Sequence, residues 1–381
     1  MQETRSTAGQ LVVVGGGAIG LSTAWQAART GFAVTVVDPQ PARGASWVAA
    51  GMLAPLAEAW PGDEPVLALG LAALPDWPAF AAELHRVTGV DPQLSRAGTV
   101  LVGVDTADAG VLDTLAGYLA EQGHQVETCA RTALRRLEPM LGPNVRRGLH
   151  LPGDVAVDNR ALLTALLQAC ERSGVRFDRR RAQEVRSGEV VLADGSTVPS
   201  ELTVLAAGAH SGDLHPALKG AIRPVKGELL RLRARHSSLP PPTRTVRALV
   251  EGRPVYLVPR ASGELVLGAT QYEAGFDQDV TAGGVHDLLR DAEEVLPGIA
   301  EFAVVECVAG FRAGSPDNLP LIGWLDTGVL VAAGHHRNGL LTAPLTGAAV
   351  LALARGEQPP DPVRAADPAR LATPARRGGS R

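Results

Sequence analysis

Gly15, Gly17, Gly20 and Asp38 have the types and spacing of residues that bind a dinucleotide. The glycines form the pattern G-x-G-x-x-G, and Asp38 follows 18 residues after Gly20. The first glycine permits a tight turn, the second lets backbone approach a pyrophosphate, and the third lets a helix pack closely on a strand. The helix N-terminus then offers free N–H groups to phosphates, and the carboxylate accepts hydrogen bonds from a ribose. The pattern predicts a dinucleotide site, either NAD or FAD; a glycine-rich turn without a ligand is the alternative.

A second polar cluster, in VAAGHHRNGLLTAP (331–344), contains the adjacent histidines His335 and His336. Consecutive residues in extended backbone point in opposite directions, so the two imidazoles form a poor chelating pair. No other His, Cys, Asp or Glu spacing completes a metal site. We therefore predict no metal, and instead a strand end and a helix start around a loop in which Gly334 and Gly339 let the backbone approach a ligand closely. An acid–base role for either histidine is a further alternative.

Cys129, Cys170 and Cys307 lie far apart in the chain, with no CxxC spacing. This distribution predicts neither a zinc site nor a disulfide framework, and it favours a reducing cytoplasm.

Composition narrows the class of protein. The chain has 381 residues, with 45% hydrophobic and 20% charged residues, as in soluble globular proteins. Its net charge of −4 does not favour nucleic acid as a partner. No uninterrupted apolar run reaches the ~18 residues of a membrane span. The segment LVVVGGGAIGL (11–21) resembles the apolar part of a signal peptide, but it lacks a cleavage site in the usual place.

The elements that must position these residues can be read from periodicity. LVVV (11–14) predicts a strand, a helical pattern follows from Ala18 to Ala28, and GFAVTVVD (31–38) predicts a second strand. This βαβ unit predicts a parallel sheet. GVLVAAG (328–334) predicts another buried strand, followed by a helix over 345–356. NRALLTALLQACERSG (159–174) predicts an amphipathic helix with Asp158 as its N-cap.

Antiparallel segments lie between these helix-linked strands. The segment 189–208 predicts a hairpin leading into a buried strand, and 255–270 predicts a second hairpin with alternating apolar residues. The alternation predicts one parallel-sheet domain made of three chain segments, with a mostly antiparallel domain inserted between them.

Further motifs resemble one known family. They are GASWVAAGMLAP (44–55), VLAAGAHSG (204–212), VKGELL (225–230), VYLVPR (255–260), GAT (268–270), GFRAGSPDNLPLIG (310–323) and the histidine-containing segment. In this order they resemble the D-amino-acid oxidase superfamily of flavoproteins over residues 10–357. Within it they look most like the glycine oxidases of thiamine biosynthesis.

The resemblance implies the fold class and its division. It implies an α/β fold: an FAD-binding Rossmann-like domain of the GR2 type with an inserted, mainly antiparallel α+β substrate domain. The FAD-binding domain is expected over 10–88, 149–220 and 308–360, the substrate domain over 89–148 and 221–307, and a disordered tail over 361–381.

The resemblance also implies that the dinucleotide is FAD, bound non-covalently, because no cysteine follows Cys307 to attach it. The positions that match the family's cofactor contacts lie in five places. These are the glycine fingerprint with Asp38, the loop in 44–55, a strand on the adenine side, the strand end in 204–212 and the histidine-containing segment 331–344. The positions are Gly15, Gly17, Ala18, Ile19, Gly20, Asp38, Ala45, Ser46, Ala50, Gly51, Met52, Val185, Gly208, His335, His336, Arg337, Asn338, Gly339, Leu340 and Leu341. The alternative for the loop around VAAGM is small-residue packing.

Four positions match the family's substrate site. Arg312 matches an arginine that clamps a carboxylate bidentately, and Tyr256 matches a tyrosine that bonds the same carboxylate. A surface ion pair and an interior strand aromatic are their alternatives. Arg337 matches a position that reaches the substrate amine through its backbone carbonyl. Gln271 stands where the family has methionine, which puts the breadth of substrate preference in question.

The implied activity is oxidative deamination of glycine, with sarcosine and small D-amino acids as further substrates. The resemblance implies hydride transfer from the α-carbon to flavin N5 and O2 as acceptor, giving H2O2, ammonia and glyoxylate, with no side-chain base required. The alternatives are a D-amino-acid dehydrogenase or a sarcosine oxidase-like enzyme. Outside the superfamily they are a nicotinamide-dependent dehydrogenase and a non-catalytic FAD-binding protein. A cytoplasmic homotetramer and a link to a thiazole-forming partner are expected from the resemblance, and no membrane partner is expected.

Overall fold

A computed structural model describes residues 9–371. Its strands are β1 (Gln10–Val14), β2 (Ala33–Val37), β3 (Met52–Leu53), β4 (Thr99–Gly103), β5 (Glu127–Ala130), β6 (Arg147–Leu151), β7 (Val155–Ala156), β8 (Arg176–Asp178), β9 (Ala182–Arg186), β10 (Glu189–Leu192), β11 (Thr197–Pro199), β12 (Leu202–Leu205), β13 (Arg223–Arg233), β14 (Thr245–Val250), β15 (Arg253–Pro259), β16 (Glu264–Gly268), β17 (Ala303–Gly314), β18 (Leu321–Asp326) and β19 (Val329–Ala333). Its helices are α1 (Ala18–Arg29), α2 (Ala45–Val48), α3 (Glu64–Ala73), α4 (Trp77–Thr88), α5 (Thr106–Glu121), α6 (Arg131–Leu137), α7 (Asn159–Arg172), α8 (Ser211–Leu214), α9 (Ala282–Val295), α10 (Ala343–Ala354) and α11 (Asp361–Arg364).

The first sheet has six strands in the order β18-β19-β12-β1-β2-β8. Adjacent strands of this sheet pair in parallel, except that the edge strand β18 pairs antiparallel with β19. The βαβ prediction is confirmed: β1 and β2 pair parallel, and α1 connects them. The predicted N-cap of α7 is also confirmed, because the Asp158 carboxylate accepts hydrogen bonds from the N–H groups of Arg160 and Ala161.

Both faces of this sheet are covered, as expected for parallel strands. Leu11 and Val13 pack into the core shared with α1, α7 and α10, whereas Val12 and Val14 pack into a second core with the hairpin β9–β10. The alternation of side chains along β1 therefore builds two cores from one strand.

The second sheet has eight strands in the order β17-β13-β16-β15-β14-β4-β6-β5. Its pairs are antiparallel except for β14 with β4. Leu230 and Leu267 on this sheet pack against Leu288 and Val295 of α9. The predicted hairpin over 255–270 is confirmed as β15–β16.

The strands also bear on the proposed domain limits. The limits at 148/149 and 307/308 fall inside β6 and β17, and both strands pair within the eight-stranded sheet. As a division of the chain into domains, the proposed segments stay predictions.

The prediction of a disordered tail over 361–381 is wrong for residues 361–371. Here α11 and a 3-10 turn (Pro368–Leu371) follow, and Val363 and Ala366 are fully buried. The Ile322 N–H also donates to the Ala366 carbonyl at 2.9 Å. The proline-rich composition predicted disorder, although two apolar side chains of this segment are buried at the edge of the sheet. The rest of the predicted tail, like residues 1–8, lies outside the described residues.

One helical segment, Glu64–Thr88, has the length and composition of a membrane span, at 25 residues and a mean hydropathy of 1.3. It consists of α3 and α4 joined by a 3-10 turn. One side of it, including Leu69, Ala73, Trp77 and Leu84, is buried in the core of the six-stranded sheet. This is the packing of an amphipathic core helix.

Candidate active site

The fingerprint glycines lie at the carboxyl end of β1, where α1 begins. Gly15 has a φ of +107°, and a Cβ added there would collide with the Ala206 backbone. A Cβ on Gly20 would collide with the Gly15 carbonyl, so this glycine lets α1 lie close to β1. Gly17 is the N-cap of α1 and has open space in front of it apart from Ser46 Oγ at 3.5 Å. Each glycine thus meets the requirement that the fingerprint predicts at its position.

The Asp38 carboxylate lies directly beside this turn. It accepts hydrogen bonds from the Gly16 N–H at 2.6 Å and the Gln40 N–H at 2.7 Å. The core packed under this corner contains Val185 of β9, 1% exposed, together with Val14 and Val37. Beyond β12, Gly208 has a φ of +58° and nothing within 4 Å of an added Cβ. The structure therefore brings the predicted dinucleotide contacts to one corner of the sheet.

Ser46 connects the fingerprint with a large cavity. Its Oγ accepts a hydrogen bond from the Ala18 N–H at 3.1 Å, at the N-terminus of α1, and Ser46 also lines the cavity. The cavity encloses about 1120 Å³, including open solvent at its mouth. It is lined by Ala45, Ser46, Val48, Ala49, Ala50, Gly51, Met52, Glu58, Gly227, Leu229, Arg247, Pro254, Tyr256, Ala269, Gln271, Gly310, Arg312, His336, Arg337, Gly339 and Leu340.

The loop from Ala45 to Met52 is held in place by two buried polar side chains. Asn159 Nδ2 donates to the Ser46 and Trp47 carbonyls, both at 2.9 Å. Arg260 Nη2 donates to the Ala50 carbonyl at 2.6 Å and to Asn159 Oδ1 at 3.1 Å. Burial lowers the pKa of Arg260 to about 10, so this guanidinium keeps its charge at neutral pH.

Arg312 and Tyr256 reach toward each other across two glycines. A Cβ on Gly227 would collide with the Arg312 guanidinium, and a Cβ on Gly268 would lie 2.5 Å from the Tyr256 hydroxyl. The two side chains therefore cross strands β13 and β16 at positions without side chains. Arg312 Nη1 donates to the Thr270 carbonyl at 3.3 Å. Burial raises the pKa of Tyr256, so its hydroxyl keeps its proton as a hydrogen-bond donor.

The cavity also contains an ion pair, Glu58 with Arg247, that was not predicted from sequence. Arg247 Nη1 lies 2.5 Å from Glu58 Oε1, and Arg337 Nε lies 3.8 Å from Glu58 Oε2. The Glu58 and Arg247 side chains are only 12% and 14% exposed. Burial raises the pKa of Glu58, but the guanidiniums of Arg247 and Arg337 outweigh burial and hold it below its ordinary value. Glu58 is therefore ionised. An arginine inside the apolar strand TVRALV was the one available signal.

The adjacent histidines have different surroundings. His335 is 5% exposed, and its Nε2 lies 3.2 Å from Thr346 Oγ1. His336 has a φ of +47° and lines the cavity. The extended backbone assumed for this pair is wrong: residues 336–338 form a 3-10 turn. Burial lowers the pKa of His335 to about 3 and that of His336 to about 4, so both rings are neutral near pH 7.

Some of the remaining predicted residues lie away from the cavity lining. Leu341 is buried, and its carbonyl accepts from Trp77 Nε1 at 2.7 Å. Asn338 lines a small neighbouring cavity together with Glu58. Ile19 packs partly buried against the core of the six-stranded sheet. Among the described residues no group of three His, Cys, Asp or Glu side chains could hold a metal ion.

These features define a class of protein. A dinucleotide turn that opens through Ser46 into a cavity with Arg312 and Tyr256 fits a nucleotide-dependent oxidoreductase acting on an anionic substrate. The glycine positions, the free space at Gly17 and Gly208, and the Asp38 carboxylate fit the diphosphate and ribose of FAD.

Comparison with known proteins specifies the class. The family described as FAD dependent oxidoreductase matches residues 10–353, and the chain belongs to this family. It is 31% identical to glycine oxidase from Pseudomonas putida over 367 residues, which cover 92% of this chain and 95% of that protein. The crystal structure of glycine oxidase from Geobacillus kaustophilus matches with a TM-score of 0.86 and 30% identity, covering 94% of this chain and 97% of that one. The chain is thus an FAD-dependent oxidoreductase of the glycine oxidase type, and its fold class is confirmed.

A further relative is the bifunctional protein ThiO/ThiG from Synechocystis, which is 33% identical over 356 residues. The match covers 90% of this chain, but the chain spans only about half (51%) of that relative.

Proposed function

We propose that this protein oxidises glycine, and also sarcosine and small D-amino acids, with O2 as the acceptor. For a primary amino acid the balanced reaction is amino acid plus O2 and water, giving 2-oxo acid, ammonia and H2O2. The convergence of Arg312 and Tyr256 over Gly227 and Gly268 carries this proposal, because it forms a carboxylate clamp at the cavity. FAD, when bound, supplies the two-electron acceptor.

In this proposal the chain's own residues bind and orient the substrate. The Arg312 guanidinium and the Tyr256 hydroxyl both donate to the substrate carboxylate. The backbone around Arg337 and Gly339 borders the same cavity and is proposed to reach the amine. Gln271 also lines the cavity, and its amide is proposed to limit the size of the substrate side chain.

The titratable groups of the cavity support the absence of a side-chain base. His336 has a pKa of about 4 because burial lowers it, and the ionised Glu58 is occupied by Arg247. Tyr256 stays protonated because burial raises its pKa. An efficient general base has a pKa near the working pH, and none of these three groups meets that condition. We propose that the amine loses its proton to solvent.

The deciding experiment is an anaerobic mixing experiment. The purified protein should show a flavin spectrum that glycine bleaches, and admitting air should restore the spectrum and release H2O2. Bleaching without rapid recovery would support the D-amino-acid dehydrogenase instead. A flavin spectrum that neither glycine, sarcosine nor D-alanine bleaches would contradict the proposal.

We also propose a role in thiamine thiazole synthesis. A relative from Rhizobium etli described as a putative thiamine biosynthesis oxidoreductase ThiO, 32% identical over 337 residues, supports this role together with the bifunctional protein ThiO/ThiG. A cytoplasmic location and a homotetramer are proposed with it from the family resemblance. Disrupting the gene should cause a thiamine requirement that a thiazole precursor relieves; growth without thiamine would argue against this role.

A further inference from the structure

The charges that line the cavity exceed what one substrate carboxylate needs. The lining contains three arginines, Arg247, Arg312 and Arg337, but one acidic residue, Glu58. The nearby acidic residue Glu228 does not change this balance. Glu228 lies on β13, and its fully buried carboxylate accepts from the Thr281 N–H at 2.8 Å and pairs with Lys226 at 3.7 Å. Asp154 is a further buried carboxylate near Arg247, but it lies outside the lining and accepts hydrogen bonds from the N–H groups of Leu56 and Ala57. Among the residues that line the cavity, two positive charges therefore have no acidic partner.

The arginines lie on two sides of Tyr256. Arg247 on β14 pairs in register with Tyr256 on β15, and Tyr256 pairs in register with Gly268 on β16. Side chains of paired residues stand on the same face of a sheet. Arg312 approaches Tyr256 from the Gly268 side, so Arg247 flanks it on the other side. A substrate whose first carboxylate lies at Arg312 and Tyr256 therefore has a second guanidinium within the same cavity.

Arg247 is only partly engaged. Its Nη1 donates to Glu58 and lies 4.0 Å from the Met52 sulfur. Within the part of the chain that the structure describes, its Nε and Nη2 have no hydrogen-bond partner. Glu58 is shared between this arginine and Arg337, so the three side chains together keep one positive charge. A guanidinium fork binds two carboxylate oxygens side by side, and a free edge of this kind suits a carboxylate.

From this arrangement we infer that Arg247 and Arg337, with Glu58 between them, form a second anion subsite. The inference rests on the proposed function, because it takes Arg312 as the site of the first carboxylate. It extends the substrate class to amino acids with a second carboxylate, either on the side chain or on a nitrogen substituent. Oxidation takes place at the same carbon–nitrogen bond, and the second carboxylate stays unchanged.

Binding of inert acids tests the subsite without turnover. Calorimetric titration of the FAD-loaded protein at pH 7.5 measures the affinity for butyrate and for succinate, which has the same number of carbons. Malonate and glutarate then vary the distance between the two carboxylates. At least one dicarboxylate should bind about tenfold or more tightly than the monocarboxylate, as expected for one charged hydrogen-bonded pair. Arg247→Met should reduce this ratio about tenfold, and Glu58→Gln should increase it because the competing carboxylate is gone.

Arg147→Met is the matched control, since Arg147 belongs to the same sheet but pairs at 2.6 Å with Asp113 on the surface. It should leave the ratio unchanged. A ratio near one in the unaltered protein, or one that neither Arg247→Met nor Glu58→Gln changes, would overturn the subsite. Glycine oxidation is measured separately, by flavin bleaching. If the protein oxidises glycine but binds no dicarboxylate more tightly than butyrate, the second anion subsite is contradicted and the proposed function is not. If the protein binds a dicarboxylate more tightly than butyrate but oxidises no amino acid, the proposed function is contradicted and the second anion subsite is not.

Discussion

At the scale of single residues, two glycines leave room for the two side chains of the proposed carboxylate clamp. Gly227 and Gly268 occupy positions where any side chain would meet the Arg312 guanidinium or the Tyr256 ring. Arginine is long and flexible, so its head can be aimed only if the surface beneath it leaves room. Arg312 therefore depends on β13 as much as on its own strand.

Replacing Arg312 with Ala should weaken binding of the substrate carboxylate strongly and leave bound flavin in place. Loss of a charged hydrogen bond costs about 1.5–3 kcal/mol, so kcat/KM for glycine should fall at least tenfold. Steady-state peroxide release measures the loss, and the absorbance of the purified variant measures retained flavin. Near-normal turnover would remove Arg312 from the site.

Gly227→Ala provides the companion variant. It keeps the guanidinium but pushes it aside, so KM should rise with little change in stability, because the displaced atoms are the flexible end of a side chain. If Gly227→Ala leaves KM unchanged, the two glycines do not aim the clamp.

At the scale of elements, the segment α2–β3 forms one wall of the cavity. Its carbonyls at Ser46, Trp47 and Ala50 accept hydrogen bonds from Asn159 and Arg260. Trp47 is enclosed by two guanidiniums, with Arg43 at 3.9 Å and Arg160 at 4.3 Å from its ring centroid. A hydrogen bond from a charged donor is stronger than one between neutral groups, so the bond from Arg260 helps to fix this wall.

Replacing Arg260 with Met should release this wall. The Ala50 carbonyl loses its 2.6 Å partner, so FAD should bind about tenfold more weakly. Titrating the apoprotein with FAD, followed by flavin fluorescence, measures the affinity. Arg253→Met is the control, because Arg253 lies on the same stretch of chain but pairs with Asp291 at 2.9 Å, away from the cavity. An FAD affinity equal in both variants would mean that Arg260 does not hold the loop.

At the scale of the whole molecule, the cavity lies between two sheets that separate chain segments build. The six-stranded sheet supplies the fingerprint corner, and the eight-stranded sheet supplies Arg247, Tyr256 and Arg312. The C-terminal segment 361–371 closes the core at the edge of the first sheet through Val363 and Ala366.

Val363→Ser should test that closure. Burying a valine stabilises a fold by about 1.5–3 kcal/mol, so the free energy of unfolding should fall by about that amount. Urea denaturation at saturating FAD measures it, since bound ligand also shifts stability. Val304→Ser, at a valine that is 55% exposed, should change it by less than about 0.5 kcal/mol. Equal effects of the two substitutions would contradict a structural role for this segment.

The elements with strong local patterns could be predicted from sequence. β1, α1, β2, α7 and the hairpin β15–β16 follow from periodicity and capping, because each depends on neighbours a few residues away. Arg312 and Tyr256 could be singled out only by family resemblance. Val363 was hidden by a proline-rich context, and the backbone at His335 and His336 was assigned wrongly because a 3-10 turn has no clear local signal.

The sequence by itself determines the dinucleotide turn between β1 and α1, since the spacing of Gly15, Gly17 and Gly20 matches the geometry of that turn. It does not reveal the pairing of Glu58 with Arg247, which lie 189 positions apart in the chain. Arg247 lies on β14, which pairs with β15 in the eight-stranded sheet, and Glu58 lies in the loop after β3, which packs against the face of the sheet that carries Arg247. Electrostatic energy depends on distance in space and on burial, and neither follows from the order of residues. The tertiary structure alone therefore decides the charge of the cavity, and with it the class of substrate that the cavity can bind.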